Sequence, residues 1–334
     1  MAPIDTLGRP LKALRISVTD RCNFRCGYCM PREVFGPDHA FLEREALLSF
    51  EELTRLVRIF VGLGVEKVRL TGGEPLLRRE LPALVRMLAG VAGLRDLALT
   101  SNGVLLPDQA PALRAAGLQR ITVSLDTLRE DRFRRLSDTE LPLARVLAGI
   151  DATRAAGFGP LKLNCVLQRG VNDDEVLALA AFARDGGHTL RFIEFMDVGT
   201  TNGWKLDAVV PADEVFRTLD ARWPLEPLAA EAGAVATTWR YRDGRGEVGV
   251  IASVTAPFCR GCDRARLAAD GHLYTCLFAG EGLDLKGFVR SGQSDADLAA
   301  LLTSRWKRRE DRYSELRRSD TPGLPKVEMS RIGG

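Results

Sequence analysis

What this chain lacks narrows the field first. No run of eighteen apolar residues occurs, so no membrane-spanning helix is expected. Charge of one sign is also wanting: 47 Lys and Arg stand against 44 Asp and Glu. A net charge of +3 is too small to argue by itself for a nucleic-acid surface. The stretch Met1-Ala2-Pro3-Ile4-Asp5 has no basic region leading into an apolar one, so no signal peptide is expected. There is no low-complexity tract, no flexible linker and no internal repeat beyond an alternation of strand and helix. The expectation is a cytoplasmic protein with neither membrane nor nucleic acid as partner.

What is present is a long, well-mixed chain. Its 334 residues allow one large or two ordinary domains, and a hydrophobic fraction of 46% supports a substantial core. The seven cysteines are clustered, with no export signal, which favours metal ligation in a reducing compartment over disulfides.

Residues 1–13 read as an N-terminal arm. From Leu14 the pattern alternates about every 30 residues, with strand cores at Leu14–Val18, Lys67–Leu70, Leu94–Thr100, Arg120–Leu125, Leu161–Leu167 and Leu190–Phe195. Helices are predicted over Phe50–Gly62, Arg79–Ala89, Pro107–Ala116, Leu141–Ala156 and Asp173–Asp185. The first opens with a capping box, Ser49 with Glu52. Six such units wound in one hand predict an α/β fold, a partial (β/α)6 TIM-type barrel over residues 14–211. Residues 212–334 read as a smaller α+β extension that closes the open side. It holds two hairpins, Val235–Tyr241 with Glu247–Ser253 and Arg264–Ala269 with His272–Cys276, then a helix around Ser294–Arg309. The run Arg305-Trp306-Lys307-Arg308-Arg309 reads as a solvated helix face.

Strand parity adds a chemical expectation. One face carries Arg15, Ser17 and Thr19; then Lys67, Arg69 and Thr71; then Thr122, Ser124 and Asp126; then Lys162, Asn164 and Gln168. Buried parallel strands are usually apolar on both faces. A face this polar and basic predicts a lumen holding a charged ligand. Cys165 falls on the opposite, apolar face and reads as core filling.

Two cysteine constellations carry the chemistry. Cys22, Cys26 and Cys29 follow the first strand within one short loop. Three thiolates can each hold one iron of a cubane cluster, and no fourth cysteine is near, so one iron is left for a non-protein ligand. Cys259 and Cys262, followed by Cys276, repeat the three-ligand arrangement. The alternative for either set is zinc, which needs a fourth ligand; His272 is the nearby candidate for the second. Arg264-Ala265-Arg266 adds two guanidiniums on one strand face, suited to phosphate oxygens. Gly72-Gly73-Glu74-Pro75 ends the second strand, where glycines let backbone approach a ligand.

The spacing of Cys22, Cys26 and Cys29, with Gly72–Pro75 one strand later, resembles the radical S-adenosylmethionine (SAM) enzymes. Further stretches are Leu7-Gly8-Arg9-Pro10, Thr100–Gly103, Val123–Asp126, Arg191–Gly199, Phe258–Leu267 and Gly333-Gly334. With them the chain, over roughly residues 7–334, resembles the GTP 3′,8-cyclase family, which opens molybdenum-cofactor biosynthesis. The resemblance implies two 4Fe–4S clusters on the two cysteine sets, with SAM chelated at the open iron of the first. It implies SAM contacts at Tyr28, Gly73, Ser124 and Met196. It implies GTP contacts at Arg15, Lys67, Arg69, Thr100, Lys162, Arg191, Arg264, Ala265 and Arg266. It further implies a catalytic role for the Gly333-Gly334 tail. The implied reaction converts GTP to (8S)-3′,8-cyclo-7,8-dihydroguanosine 5′-triphosphate. Implied partners are an external one-electron donor and, downstream, cyclic pyranopterin monophosphate synthase; a homodimer is among the candidate assemblies. Two rivals remain at this stage: a radical SAM enzyme acting on a peptide, and a non-enzymatic iron–sulfur or zinc-binding protein.

Overall fold

Twelve strands form one sheet in the structure, a computed structural model, which describes residues 2–230, 233–317 and 326–333. The strands are β1 Ala13–Ser17, β2 Lys67–Thr71, β3 Asp96–Ser101, β4 Arg120–Ser124, β5 Lys162–Leu167 and β6 Thr189–Glu194, then β7 Leu225–Pro227, β8 Thr237–Tyr241, β9 Glu247–Ile251, β10 Arg264–Leu267, β11 His272–Tyr274 and β12 Leu283–Asp284. The helices are α1 Phe50–Gly62, α2 Leu81–Ala89, α3 Leu106–Ala115, α4 Glu130–Ser137, α5 Leu143–Ala155 and α6 Val176–Asp185, followed by α7 Ala212–Arg222, α8 Leu285–Arg290, α9 Asp295–Lys307, α10 Tyr313–Leu316 and α11 Met329–Ile332.

Helix α1 illustrates how the units form. The Ser49 N–H donates to Glu52 Oε2 at 2.7 Å, and the Glu52 N–H donates to Ser49 Oγ at 3.1 Å. Such a cap is worth about 1 kcal/mol. Leu53, Leu56, Val57 and Phe60 recur on one helical face and are buried. They join Leu14, Ile16, Val68 and Leu70 from the outer face of the sheet in the main core. Truncating one fully buried leucine there, such as Leu56, costs about 2–5 kcal/mol.

The strand order is β12-β11-β10-β1-β2-β3-β4-β5-β6-β9-β8-β7. All pairings from β10 to β9 are parallel. The parallel arc thus contains the six predicted strands with one more at each edge. Both additions come from beyond residue 211, and each is one arm of a predicted hairpin. The C-terminal segment, expected as a smaller α+β extension on the open side, contributes its strands to the same sheet, which remains open and ends at β12 and β7. Hairpin periodicity reveals the local antiparallel partner, but not a parallel partner distant in sequence.

The reading of Arg305–Arg309 as a solvated helix face is corrected at two positions. Trp306 and Arg309 are buried, at 2% and 4% exposure. The Trp306 indole N–H donates to the Arg9 carbonyl at 3.0 Å, so this end of α9 packs on the N-terminal arm.

Candidate functional site

Register concentrates charge on the inner face. Arg15 in β1 stands opposite Arg266 of β10 on one side and Arg69 of β2 on the other. Neighbouring strands lie about 4.8 Å apart, so three guanidiniums form a row across the sheet. Arg191 and Arg264 line the same cavity. Like charges directly opposite one another are destabilising. Among the described residues, none of these five arginines is paired with a carboxylate. Arg69 donates to the Thr100 and Thr122 hydroxyls, both at 3.0 Å, and Arg191 Nε donates to Asn164 Oδ1 at 3.0 Å. Burial, then the fields of Arg266, Arg264, Arg69 and Arg191, push Arg15 well below its ordinary value. Burial and neighbouring arginines likewise lower Arg191 to about 9 and Arg266 to about 10. A face of this kind suits an anion of several charges.

The loop after β1 brings Cys22, Cys26 and Cys29 to one end of the cavity. Arg25 fastens it, donating to the carbonyls of Phe35, Cys22 and Phe24 at 2.7–2.8 Å. Burial pushes the Cys22 and Cys29 thiols up to about 12; Cys26 rises through burial and the two neighbouring thiols. Gly73 holds the next loop against this one. Its N–H donates to the Thr19 carbonyl at 2.9 Å, and a Cβ there would stand 2.3 Å from the Arg21 carbonyl oxygen. Glycine is required at this position by the close approach to the start of the cysteine loop, and Gly72 and Gly73 also line the cavity. Glu74 accepts from the Leu76 and Asn102 N–H groups and the Ser101 hydroxyl. Burial nonetheless pushes its carboxyl up to about 7.

Cys259, Cys262 and Cys276 line the cavity beside Arg264 and Arg266. Arg264 and Arg309 each donate to Cys262 Sγ at 3.2 Å. Burial alone would raise that thiol, but the two guanidiniums outweigh it and bring it to about 6. Arg309 also donates to the Cys262 carbonyl at 2.7 Å and pairs with Asp5 at 3.2 Å. Asp5 holds Arg9 at 2.6 Å, and Arg9 donates to the Cys259 carbonyl at 2.8 Å. The Leu7–Pro10 stretch thereby acquires a physical role as backing for this loop.

Both donor sets suit iron–sulfur ligation. Each presents three thiols to the cavity with no histidine among them. His272 instead lies 3.3 Å from Asp270 and is absent from the cavity wall, which leaves the zinc alternative without its candidate fourth ligand. Among the described residues, no three or more His, Cys, Asp or Glu converge on a point that a single metal ion could occupy. Thiolates that each bind a different iron of one cubane have no need to converge in that way.

Of the other predicted residues, Tyr28, Gly73, Thr100, Ser124 and Met196 line the cavity. Met196 follows the end of β6, so strand parity with Arg191 does not apply to it. Lys67 and Lys162 sit at the first positions of β2 and β5 and do not line it. Ala265 points to the opposite face from its two arginine neighbours and is fully buried in the core, leaving only its backbone for a ligand. Gly333 lies against Ser17 and Thr71, and its carbonyl accepts from Arg266. Gly334 lies outside the described residues.

Several residues have roles in the site that the sequence did not assign. Asp126 accepts from the Tyr28 hydroxyl at 2.7 Å, joining the cysteine loop to the end of β4. Asn102 donates to Asn23 at 2.7 Å across the same loop. Thr122 and Asn164 orient arginines; parity had put both on the polar face. Arg309 was hidden inside a charge run.

Comparison with known proteins adds two family models: Radical SAM superfamily over residues 16–183, and Molybdenum Cofactor Synthesis C over residues 188–315. The chain is 57% identical to the GTP 3′,8-cyclase of Acidothermus cellulolyticus, covering 99% of this chain and 98% of that protein. It is 55% identical to the GTP 3′,8-cyclase of Xanthomonas axonopodis pv. citri, over 99% and 98%. The Staphylococcus epidermidis GTP 3′,8-cyclase is 44% identical, again over 99% and 98%. Among solved structures, Streptococcus suis SuiB bound to S-adenosylmethionine superposes with a TM-score of 0.61 at 14% identity, covering 92% of this chain and 68% of that one. SuiB bound to its precursor peptide SuiA gives 0.60 at 13% identity, over 86% and 63%. At those identities the likeness is one of fold.

Proposed function

The chain belongs to the GTP 3′,8-cyclase family of radical SAM enzymes, and from that premise we propose how its own residues serve the conversion of GTP to (8S)-3′,8-cyclo-7,8-dihydroguanosine 5′-triphosphate. A 4Fe–4S cluster and SAM follow from the family. When bound on Cys22, Cys26 and Cys29, they supply the 5′-deoxyadenosyl radical that abstracts the ribose 3′ hydrogen. A second cluster on Cys259, Cys262 and Cys276 is our assignment, supported by a donor set of the same kind at the far side of the same cavity.

The observation that carries the reading is the row Arg266–Arg15–Arg69, with Arg191 and Arg264, none of which has a carboxylate partner among the described residues. A triphosphate brings close to four negative charges. Charge-assisted contacts of about 1.5–3 kcal/mol each would fix the nucleotide between the two cysteine sets. We assign Tyr28, Gly73, Ser124 and Met196 to SAM, and Arg15, Arg69, Thr100, Arg191, Arg264 and Arg266 to GTP. Lys67, Lys162 and the Ala265 backbone are kept as outer contacts that require a shift toward the lumen. In functional terms, residues 14–211 carry the radical-generating loop and four of the nucleotide contacts, and residues 212–334 add Arg264, Arg266 and the second cysteine set. The same unpaired arginines disfavour a peptide substrate.

The electron comes from an external donor, and the product passes to the next enzyme of the pathway. The test is anaerobic incubation of reconstituted protein with SAM, GTP and dithionite. SAM cleavage with a GTP-dependent 3′,8-cyclised product is expected. Stoichiometric zinc without iron, or SAM cleavage with no such product, overturns the reading.

A further inference from the structure

Asp197 lies in the loop after β6, one residue beyond the cavity-lining Met196. Lys326 Nζ donates to its Oδ2 at 2.7 Å and to its carbonyl at 3.0 Å. The Tyr313 hydroxyl donates to Oδ2 at 2.5 Å, and Arg317 Nε lies 2.8 Å from Oδ1. The side chains of Asp197, Arg317 and Lys326 are 12%, 5% and 8% exposed. One shielded carboxylate therefore gathers Tyr313, Arg317 and Lys326, two of them cations. Burial acts to raise the carboxyl, but hydrogen bonds from Lys326 and Tyr313 and the field of Arg317 hold it below the usual range.

The contacts continue along the tail. Glu328 accepts from the Thr200 N–H at 2.9 Å and from the Thr200 and Thr201 hydroxyls. At Gly199 a Cβ would run into the Glu328 carboxylate. Arg331 Nε donates to Asp270 at 2.9 Å. The last described residue, Gly333, then offers its carbonyl to Arg266. Exposed ion pairs contribute little, whereas removing one partner of a buried pair is strongly felt. Among the ion pairs that tether the tail, those at Asp197 are shielded on both sides, whereas Arg331 is half exposed.

We propose that Asp197 is a positioning residue for the reaction: by tethering Lys326 it sets how far the C-terminal tail enters the cavity, and so brings the Gly333 carbonyl to Arg266. This rests on the reading above, in which Arg266 belongs to the nucleotide site. The tail and the loop carrying Met196 then act as one unit, so the SAM end and the nucleotide end of the cavity are tied by a salt bridge.

The test uses full-length reconstituted protein, Asp197→Asn, and Lys326→Gln, which approaches the same pair from the tail. Trypsin cleavage after Arg331 is read by mass. It should speed up by roughly tenfold or more in both variants, since local opening controls cleavage. Iron content and SAM binding should stay at the wild-type level. Turnover at saturating GTP should fall as far as it does on deleting Gly333 and Gly334. Combining either substitution with that deletion should add no further loss, as for residues acting through one another. Unchanged cleavage in both variants, or losses that multiply with the deletion, overturns the proposal. Should wild-type protein give no GTP-dependent product while cleavage still responds to Asp197, the nucleotide reading falls and the tether stands.

Discussion

Arg266 donates a guanidinium hydrogen bond to the carbonyl of Gly333, sixty-seven positions later in the chain. A cation assigned to the nucleotide is thus also the stop for the tail. Gly333 has φ of +71°, and a Cβ there would collide with Thr71 Cγ2. Gly333→Ala should therefore withdraw the tail and lower turnover more than tenfold, the left-handed backbone and the steric clash together costing about 1–3 kcal/mol. Iron content should not change. Product formation and iron per chain, measured on one preparation, check this.

Arg266→Ala should weaken GTP binding by about tenfold to a hundredfold, the worth of one charge-assisted hydrogen bond. Arg264→Ala should cost as much and do something more, because Arg264 also donates to Cys262 Sγ. Its loss should raise the Cys262 thiol and loosen iron on that loop. Equilibrium binding of GTP with iron analysis separates the two variants; equal GTP affinity in Arg266→Ala and wild type would remove Arg266 from the site.

Arg309→Met tests the backing of the second cysteine loop. Arg309 serves Cys262, Asp5 and the Thr275 carbonyl from a buried position. Removing it leaves Asp5 with Arg9 alone, and breaking a buried network of this kind costs about 3–5 kcal/mol. Iron should drop by about half, from roughly eight to roughly four per chain for two cubanes. SAM binding at the first loop should persist. A variant retaining all its iron would show that the thiols hold that loop without help.

Glu74 makes stability depend on pH. Its folded carboxyl is raised from 4.5 to about 7, chiefly by burial. The native state then holds a proton that the unfolded chain has released between those values, so stability falls as pH rises. The contribution is fully present below about 4.5 and lost on passing about 7, on the order of 3 kcal/mol. Asp126, raised from 3.8 to about 6 by burial, adds in the same direction. Denaturant midpoints of the metal-free chain at pH 5 and pH 7.5 should differ, and Glu74→Gln should shrink the difference.

Much of this was legible in the residues. The six strands of the barrel were placed to within about two residues, because buried parallel strands are short apolar runs bounded by turns. Parity put Arg15 and Arg69 on the inner face, where both line the cavity. The capping box gave α1 its start. What stayed hidden depends on long-range pairing. Parallel partners carry no local signature, so β9 and β10 read as hairpins alone. Helix α4 is short and carries only Phe133 and Leu136 as large apolar residues, too few to stand out in a window of the sequence. The backing residues Asp5, Arg9 and Arg309 meet only in the folded state, and a charge run reads as solvent-facing until a buried carboxylate is known to await one of its members. Lys67 and Lys162 share inward parity with their neighbours but begin their strands; parity fixes the face and says nothing about depth.

The pairing of β10 with β1 has a consequence for how the chain is made. Arg9 and Cys259, which meet beside that pairing, are 250 positions apart. At about 5–20 residues per second, a ribosome needs tens of seconds to supply the missing neighbour. Throughout that interval β1 presents a bare edge, a template for wrong pairing. The first cysteine loop has then long emerged, while the strand that lies beside β1 has not. The barrel cannot be completed in the order it is synthesised, and its N-terminal part is a poor candidate for an autonomous fragment.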